Sequence, residues 1–229
     1  MHICGYQKTT LLDYPGHVAA TIFTGGCNFK CPFCHNSNLI TTPSFSVSED
    51  EIFSFLNKRK NILSGVCITG GEPTLHTDLI PFIEKIRHFG YKIKLDTNGY
   101  RPDVIKSLLD RKLLDYIAMD IKSGFSNYGF VSGLSDIDII KIKNSISIIE
   151  KANILYEFRT TVVKELHCED DFFEIRESIS PSSNYFLQCF QDSGNILSDG
   201  LSSCSKDILN YYLSIVKEKI PNATLRGVE

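Results

Sequence analysis

Short apolar runs alternate with amphipathic segments along most of this 229-residue chain. The apolar runs are partly β-branched and are bounded by glycine or polar residues, which is typical of strands buried within a parallel sheet. Six such strands are predicted, at 18–23, 65–69, 91–96, 116–120, 155–163 and 185–190.

The amphipathic segments carry apolar residues at the three- and four-residue spacing of a helix face. Ser48 and Glu51 form a capping box that predicts where the first helix begins. Pro102 suits the first turn of the third helix, and Gly90 suits the end of the second. A glycine-rich loop is predicted over 123–135. The apolar faces of the predicted helices lie at 52–56, 79–89, 105–109, 139–149, 172–179 and 208–220.

Six strands, each followed by a helix, predict an α/β fold with parallel pairing and right-handed crossovers. The alternation by itself does not distinguish an open sheet from a barrel. Eight such units usually need about 250 residues, so a complete eight-stranded barrel is not expected. No stretch of the chain has the composition of a linker. We therefore predict a single domain over 1–229, with a turn-rich lead-in at 1–17, a core at 18–220 and a tail at 221–229.

Composition and charge narrow the class of protein. The formal net charge is -3, and lysine and arginine form no cluster, so nothing indicates binding to nucleic acid or to an anionic membrane. The N-terminal residues lack the apolar core of a signal peptide, and no apolar run is long enough to span a bilayer. We expect a cytoplasmic protein.

The most specific chemical signal is a loop after the first predicted strand. Its cysteines, Cys27, Cys31 and Cys34, are four and then three residues apart. Thiolates at this spacing can bind three irons of a cubane cluster and leave the fourth iron without a protein ligand. Structural zinc usually takes four ligands as two separated pairs, and the chain has no second CxxC. Adjacent Cys34 and His35 would strain a tetrahedral site, and a disulfide frame is less favoured still.

The remaining cysteines and three histidines show no ligand spacing. We interpret most of these cysteines as small buried apolar residues, and the histidines as surface residues. The residues concerned are Cys4, Cys67, Cys168, Cys189 and Cys204, with His76, His88 and His167.

Further polar residues and glycines lie at or near the ends of the predicted strands. Since the carboxyl ends of parallel strands meet at one rim, these residues are expected around one ligand site. Glycines there allow the backbone to approach a ligand closely, and a carboxylate can accept hydrogen bonds from an ammonium group. The residues are Gly70, Gly71, Glu72, Asp96, Thr97, Asn98, Asp120, Lys122, Arg159 and Gln188.

Two carboxylates in this set, Asp96 and Asp120, would repel each other unless a cation or a lysine compensates them. The alternative is a pair of solvated strand-end carboxylates. Arg159 suits either a bound ligand or a structural ion pair, and Gln188 suits either a ligand or the solvent.

The cysteine loop, Gly70-Gly71-Glu72-Pro73 and Asp120-Ile121-Lys122 resemble the motifs of the radical S-adenosylmethionine (SAM) enzymes. The stretch from Gly5 to Gly16 and the terminal Leu225-Arg226-Gly227 resemble the anaerobic ribonucleoside-triphosphate reductase activating proteins of that superfamily. The resemblance covers nearly the full chain, and Cys189 departs from it. It implies a partial (β/α)6 TIM-like barrel of the radical SAM type, open on one side, with a 4Fe–4S cluster and SAM.

The resemblance also implies roles for individual residues. The three cysteines would bind the cluster, with Phe33 near the adenine of SAM and His35 positioning that base or stabilising the loop. The Gly-Gly-Glu motif would hold the amino group of SAM. A monovalent cation beside the SAM carboxylate would be bound by the strand-end residues, and Lys122 would contact that carboxylate. The strand-end residues concerned are Asp96, Thr97 and Asp120, with Asn98 beside them.

The implied reaction is cleavage of SAM by a reduced cluster to a 5'-deoxyadenosyl radical, which takes a hydrogen atom from a glycine of a partner enzyme. The expected partner is anaerobic ribonucleotide reductase, and the expected reductant is a flavodoxin or ferredoxin-type protein. One alternative is a radical SAM enzyme for a small molecule, such as 7-carboxy-7-deazaguanine synthase. Another is a non-catalytic iron–sulfur electron carrier, which would leave four residues unexplained: Glu72, Asp96, Asp120 and Lys122.

Overall fold

A computed structural model describes residues 1–41, 45–192 and 194–228 of the chain. In this part, eight strands form one sheet in the order of the chain, from β1 to β8. The first and last strands are not paired with each other, so the barrel stays open on that side. The strands are β1 (Ile3–Thr10), β2 (Ala19–Thr24), β3 (Gly65–Gly70), β4 (Lys92–Thr97), β5 (Tyr116–Asp120), β6 (Leu155–Val162), β7 (Tyr185–Cys189) and β8 (Thr224–Arg226).

Helices cover the outer face of this sheet. Ser48 Oγ accepts a hydrogen bond from the backbone N–H of Glu51, so the predicted cap of the first helix is confirmed. Pro102 begins the third helix, and Gly90 follows the second with a φ of 90°. The helices are α1 (Glu49–Arg59), α2 (Leu79–His88), α3 (Pro102–Asp110), α4 (Tyr128–Ser132), α5 (Ile139–Glu150), α6 (Glu169–Ser178) and α7 (Lys206–Lys217).

The six strands predicted from apolar runs are confirmed as β2 to β7, and each pairs in parallel with the next. The open α/β barrel is therefore the observed fold. The sequence pattern missed both edge strands. β1 pairs antiparallel with β2 within the predicted lead-in, and β8 pairs in parallel with β7 within the predicted tail. A half-exposed edge strand and a three-residue strand carry little apolar pattern, which explains why they were missed.

The two faces of the sheet differ in polarity, because successive side chains of a strand point to opposite faces. Ile22, Ile68 and Ile117 are buried in the apolar core that includes the helices. The concave face instead carries Lys94 and Asp96, which form an ion pair. No helix in the described ranges is both long enough and apolar enough to cross a membrane.

Candidate active site at the carboxyl ends of the strands

A cavity of about 450 Å³ opens at the carboxyl ends of the strands. All fifteen residues that the sequence predicted for the site line it, so strand ends far apart in the chain meet around one space. They are Cys27, Cys31, Phe33, Cys34, His35, Gly70, Gly71, Glu72, Asp96, Thr97, Asn98, Asp120, Lys122, Arg159 and Gln188.

Backbone hydrogen bonds hold the cysteine loop at several points. Cys27 N–H donates to the carbonyl of Ile40 at 3.1 Å, and Lys30 N–H donates to the carbonyl of Ser132, in α4, at 2.9 Å. The end of β3 approaches the same loop closely, since a Cβ on Gly71 would lie 2.1 Å from the carbonyl oxygen of Gly26. Only glycine fits there, so this residue fixes the distance between the loop and Glu72.

The three loop cysteines fit an iron–sulfur cluster. All are free thiols that line the same cavity. Burial raises the pKa of Cys27 to about 12 and that of Cys31 to about 11, so these thiolates need a bound cation to become stable at neutral pH. Iron supplies that charge. In a cubane cluster each thiolate binds a different iron. Within the described ranges, no three His, Cys, Asp or Glu side chains are placed to hold a single metal ion.

Glu72 is a buried carboxylate held by neutral donors. Its Oε1 accepts from Thr97 Oγ1 at 2.7 Å and from the N–H and Oγ1 of Thr74, and its Oε2 accepts from Asn98 N–H at 2.6 Å. Burial raises its pKa, because these donors carry no full positive charge. Oε2 accepts only one bond, so it retains capacity for a further donor on the cavity side.

Asp120, in contrast, is compensated by two cations. Arg159 Nε donates to Asp120 Oδ1 at 2.8 Å, and Lys122 Nζ donates to Oδ2 at 3.0 Å. Burial alone would raise the pKa of Asp120, but the charges of Arg159 and Lys122 hold it well below its usual range. Burial alone would lower the pKa of Lys122, and the charge of Asp120 raises it well above its usual range.

Arg159 also resolves the expected repulsion between the two strand-end aspartates. Its Nη1 lies 3.5 Å from Asp96 Oδ2, and Lys94 pairs with Asp96 from the other side. Arg159 therefore forms a structural ion-pair network, which was one of the two interpretations of this residue. Its guanidinium lies between the carboxylates where the resemblance implied a monovalent cation, and that cation stays a prediction.

The ion-pair network continues along the concave face to the last strand. Arg226 donates to both oxygens of Glu157 at 3.0 Å, and Arg159 lies 3.7 Å from Glu157. The network contains one more positive than negative group: Lys94, Lys122, Arg159 and Arg226 against Asp96, Asp120 and Glu157. The cavity thus has uncompensated negative charge at Glu72 and excess positive charge around Lys122. This polarity suits the ammonium and carboxylate groups of an amino acid.

Several residues of the site were not foreseen. Asp13 lines the cavity and accepts from Thr21 Oγ1 at 2.5 Å, although the sequence suggested only a turn there. Lys94 and Glu157 were not singled out, because they lie inside predicted strands and only residues at or near the strand ends were assigned to the site. Lys94 is two residues from Asp96, and Glu157 is two residues from Arg159. In a strand this spacing places both members of each pair on the same face, and this was the signal in the sequence that could have identified Lys94 and Glu157.

Some assignments outside the cavity were wrong. His167 was expected at the surface, but it is only 5% exposed, since α6 and the cysteine loop pack against it. His88 is exposed as expected, and His76 is half-buried. Three of the remaining cysteines are buried as predicted, whereas Cys168 is exposed and Cys189 half-buried.

An open α/β barrel that presents three cysteines and a polarised ligand cavity on one rim defines a class of iron–sulfur enzymes that bind SAM. The model of the Radical SAM superfamily matches residues 21–172. The chain belongs to the radical SAM superfamily.

Individual relatives agree with this assignment. The chain is 32% identical over 232 residues to a Methanocaldococcus jannaschii protein provisionally named as a glycyl-radical enzyme activating enzyme, covering 99% of this chain and 96% of that protein. It is 26% identical over 210 residues to the 7-carboxy-7-deazaguanine synthase of Koribacter versatilis, covering 88% and 83% of the two chains.

Among solved structures, Streptococcus suis SuiB bound to the precursor peptide SuiA matches with a TM-score of 0.67 and 16% sequence identity. The match covers 91% of this chain and 48% of SuiB. At this identity the likeness concerns the fold.

Proposed function

We propose that this protein is a glycyl-radical enzyme activating enzyme. It binds a 4Fe–4S cluster through Cys27, Cys31 and Cys34, binds SAM in the adjoining cavity, and abstracts a hydrogen atom from a glycine of a partner enzyme. Anaerobic ribonucleoside-triphosphate reductase is the proposed partner, a flavodoxin or ferredoxin-type protein the proposed reductant, and the cytoplasm the proposed location. The similarity to the Methanocaldococcus jannaschii protein over 99% of the chain supports this assignment.

A bound, reduced cluster would supply the electron for cleavage of the sulfonium bond of SAM, and this cleavage would yield methionine and the 5'-deoxyadenosyl radical that takes the hydrogen atom. The chain's own residues orient SAM for this step. Glu72 Oε2, which has capacity for a further donor, would hold the ammonium group of SAM, and Lys122 would hold its carboxylate. Phe33, which is 4% exposed, lies beside the last cluster cysteine and packs near the adenine.

The observation that carries the proposal is that the concave face has room for one small ligand, while its remaining polar side chains are paired with each other. A cavity of about 450 Å³ is in the range of a site for one small molecule. Beneath it, Lys94, Glu157 and Arg159 are engaged in buried ion pairs. When SAM fills the cavity, a substrate has to present its reacting carbon from the open side of the barrel. A mobile loop of a large partner protein can do this.

The runner-up is a radical SAM enzyme that acts on a small molecule, such as a 7-carboxy-7-deazaguanine synthase. It is favoured by the 26% identity to the Koribacter versatilis synthase over 88% of the chain. A non-catalytic electron carrier would need no polarised cavity beside its cysteines, so it accounts for less of the site.

The experiment that separates an enzyme from a carrier is SAM cleavage by the anaerobically reconstituted, reduced protein. We expect 5'-deoxyadenosine and methionine in equal amounts, and none from Cys31→Ala. Intact SAM after incubation with a fully loaded, reduced cluster would contradict the enzymatic assignment.

A second experiment separates the activating enzyme from the small-molecule enzyme. The protein, with SAM and reductant, is mixed with anaerobic ribonucleotide reductase and inspected by electron paramagnetic resonance. A glycyl radical doublet is expected. Turnover of a deazaguanine precursor without any glycyl radical would favour the runner-up.

A further inference from the structure

The backbone that leaves β5 is held in place by β6 and by the segment that follows β6. Beyond Asp120, the N–H of Ile121 donates to the carbonyl of Arg159 at 2.8 Å, and Thr160 Oγ1 donates to the carbonyl of Ile121 at 2.7 Å. The next residue is Lys122, whose ammonium group lines the cavity. Its position therefore depends on what holds the chain just after the strand.

His167 holds the carbonyl of Lys122. Nε2 of His167 lies 2.9 Å from the carbonyl oxygen of Lys122, which can only accept, so Nε2 carries a proton and donates to it. Nδ1 accepts from Val163 N–H at 3.1 Å and lies 3.2 Å from the carbonyl oxygen of Val163. The ring packs between Phe33 of the cysteine loop and Phe172 of α6, with centroid distances of 6.4 and 6.2 Å. Both nitrogens are thus used inside the protein, and the ring links Lys122 to the cysteine loop.

Asp171 holds the two residues after Lys122. Its Oδ1 accepts from Ser123 Oγ at 2.6 Å and from Gly124 N–H at 3.2 Å, and its Oδ2 accepts from Cys168 N–H at 2.9 Å. A Cβ on Gly124 would lie 2.8 Å from the Cα of Asp171, so the strand end lies directly against the start of α6. Asp171 and Ser123 are both buried, where such hydrogen bonds are costly to lose.

We propose that His167 and Asp171 form a clamp on residues 122–124 that keeps the Lys122 ammonium directed at the SAM carboxylate. His167 is then a positioning residue for SAM binding, although it contacts neither SAM nor the cluster. This inference rests on the proposed SAM site, but it does not depend on which molecule loses the hydrogen atom. A lysine has a flexible four-carbon stem, so fixing its backbone is what limits where its charge can lie.

The test compares two substitutions of His167. His167→Phe keeps a ring between Phe33 and Phe172 but removes the donor to Lys122, while His167→Gln keeps an N–H donor. We expect His167→Phe to weaken SAM binding to the reconstituted protein by roughly five- to tenfold, in line with the loss of one buried hydrogen bond. We expect His167→Gln to stay within about threefold of wild type by the same scale. His88→Phe, at an exposed histidine, is the matched control.

A readout on the cluster-free protein makes the test independent of catalysis. Hydrogen exchange at the Gly124 amide should be faster in His167→Phe than in His88→Phe. In the cluster-loaded, reduced protein, the change that SAM causes in the electron paramagnetic resonance spectrum should also be smaller for His167→Phe than for His88→Phe. If His167→Phe does not fold, Ser123→Ala, which removes only the Ser123–Asp171 bond, should weaken SAM binding by about two- to threefold.

A folded His167→Phe with wild-type SAM affinity and wild-type exchange at Gly124 would overturn the clamp. Weakened SAM binding that His167→Gln does not restore would also contradict it, because the donor would then not be the cause. A protein that shows the clamp effects but forms no glycyl radical in any partner would instead contradict the proposed function and leave the clamp standing.

Discussion

Two carboxylates on the same rim, buried Glu72 after β3 and half-buried Asp120 at the end of β5, are stabilised in opposite ways. Glu72 is surrounded by neutral donors and has a raised pKa, whereas Asp120 is held between Arg159 and Lys122 and has a lowered pKa. Burial acts on both in the same direction. The difference comes from the two cations that contact Asp120, which are Lys122 just after β5 and Arg159 in β6.

This difference in charge makes the two sides of the cavity suited to opposite ends of a bound ligand. The described groups that donate to Glu72 are all neutral, so this side suits the ammonium group proposed for it. The Asp120 side is already compensated, and Lys122 remains available to a carboxylate. The two sides are also built differently, since close backbone packing around Gly71 fixes the first and an ion-pair network fixes the second.

The largest expected effect is on the charged side. Arg159 is 13% exposed and contacts Asp96, Asp120 and Glu157, so Arg159→Leu leaves three carboxylates without a shared cation. The free energy of unfolding of the cluster-free protein should fall by about 3–5 kcal/mol, as for a broken buried ion pair. Urea denaturation measures this. Arg111→Leu, which removes an exposed pair with Glu84, should cost less than about 1 kcal/mol. Equal losses in the two variants would show that the ion-pair network of Arg159 stabilises the fold no more than an exposed ion pair does.

The next largest expected effect is at the Glu72 side of the cavity, where the backbone is closely packed around Gly71. Gly71→Ala places a Cβ against the backbone of Gly26, which cannot move without shifting the cysteine loop. We expect a loss of about 2–3 kcal/mol in the free energy of unfolding and a lower iron content after reconstitution. Gly5→Ala is the control, because a Cβ there meets no atom within 4 Å. Normal iron content and stability in Gly71→Ala would refute the role of this contact.

A substitution of Glu72 tests the side of the cavity that is proposed to bind the ammonium group. Glu72→Gln removes the uncompensated charge while keeping the size of the side chain, and should weaken SAM binding about tenfold, as expected for loss of a charge-assisted hydrogen bond. Equilibrium dialysis with labelled SAM measures the affinity. Glu84→Gln, at an exposed site, should bind SAM like wild type. Unchanged affinity in Glu72→Gln would mean that the ammonium binds elsewhere.

The smallest expected effect is on the pH dependence of the free energy of unfolding, to which Asp120 and Glu72 should contribute in opposite directions. Asp120 has a lowered pKa, so its stability contribution is complete above the usual aspartate pKa of about 3.9 and is lost as the pH falls below it. Glu72 has a raised pKa, so its contribution decreases as the pH rises above the usual glutamate value of about 4.3.

Urea unfolding of wild type, Asp120→Asn and Glu72→Gln between pH 3 and 7 separates the two. The stability difference between wild type and Asp120→Asn should shrink by about 1 kcal/mol as the pH falls, and that between wild type and Glu72→Gln should change in the opposite direction. Slopes of the same sign would contradict the assigned pKa directions.

Much of this arrangement could be predicted from the sequence, and the limits have physical causes. The apolar runs that form β2, β3 and β5 are buried on both faces or nearly so, which makes their pattern strong. The rim residues were found because they lie at or near the ends of the predicted strands. Which charged side chains of the rim form ion pairs with each other could not be predicted from the sequence. Arg159 contacts Asp96 and Asp120 only because β4, β5 and β6 lie side by side in the sheet. His167 was missed for the same reason, as a single histidine carries no pattern.

The most direct test of the proposed function follows the hydrogen atom. Anaerobic ribonucleotide reductase is prepared with its glycines deuterated at the α-carbon and is treated with the reduced, cluster-loaded protein and SAM. We predict that the 5'-deoxyadenosine contains one deuterium by mass spectrometry, in amounts that match the glycyl radical counted by electron paramagnetic resonance. Unlabelled 5'-deoxyadenosine and no glycyl radical, from a preparation that cleaves SAM, would contradict it.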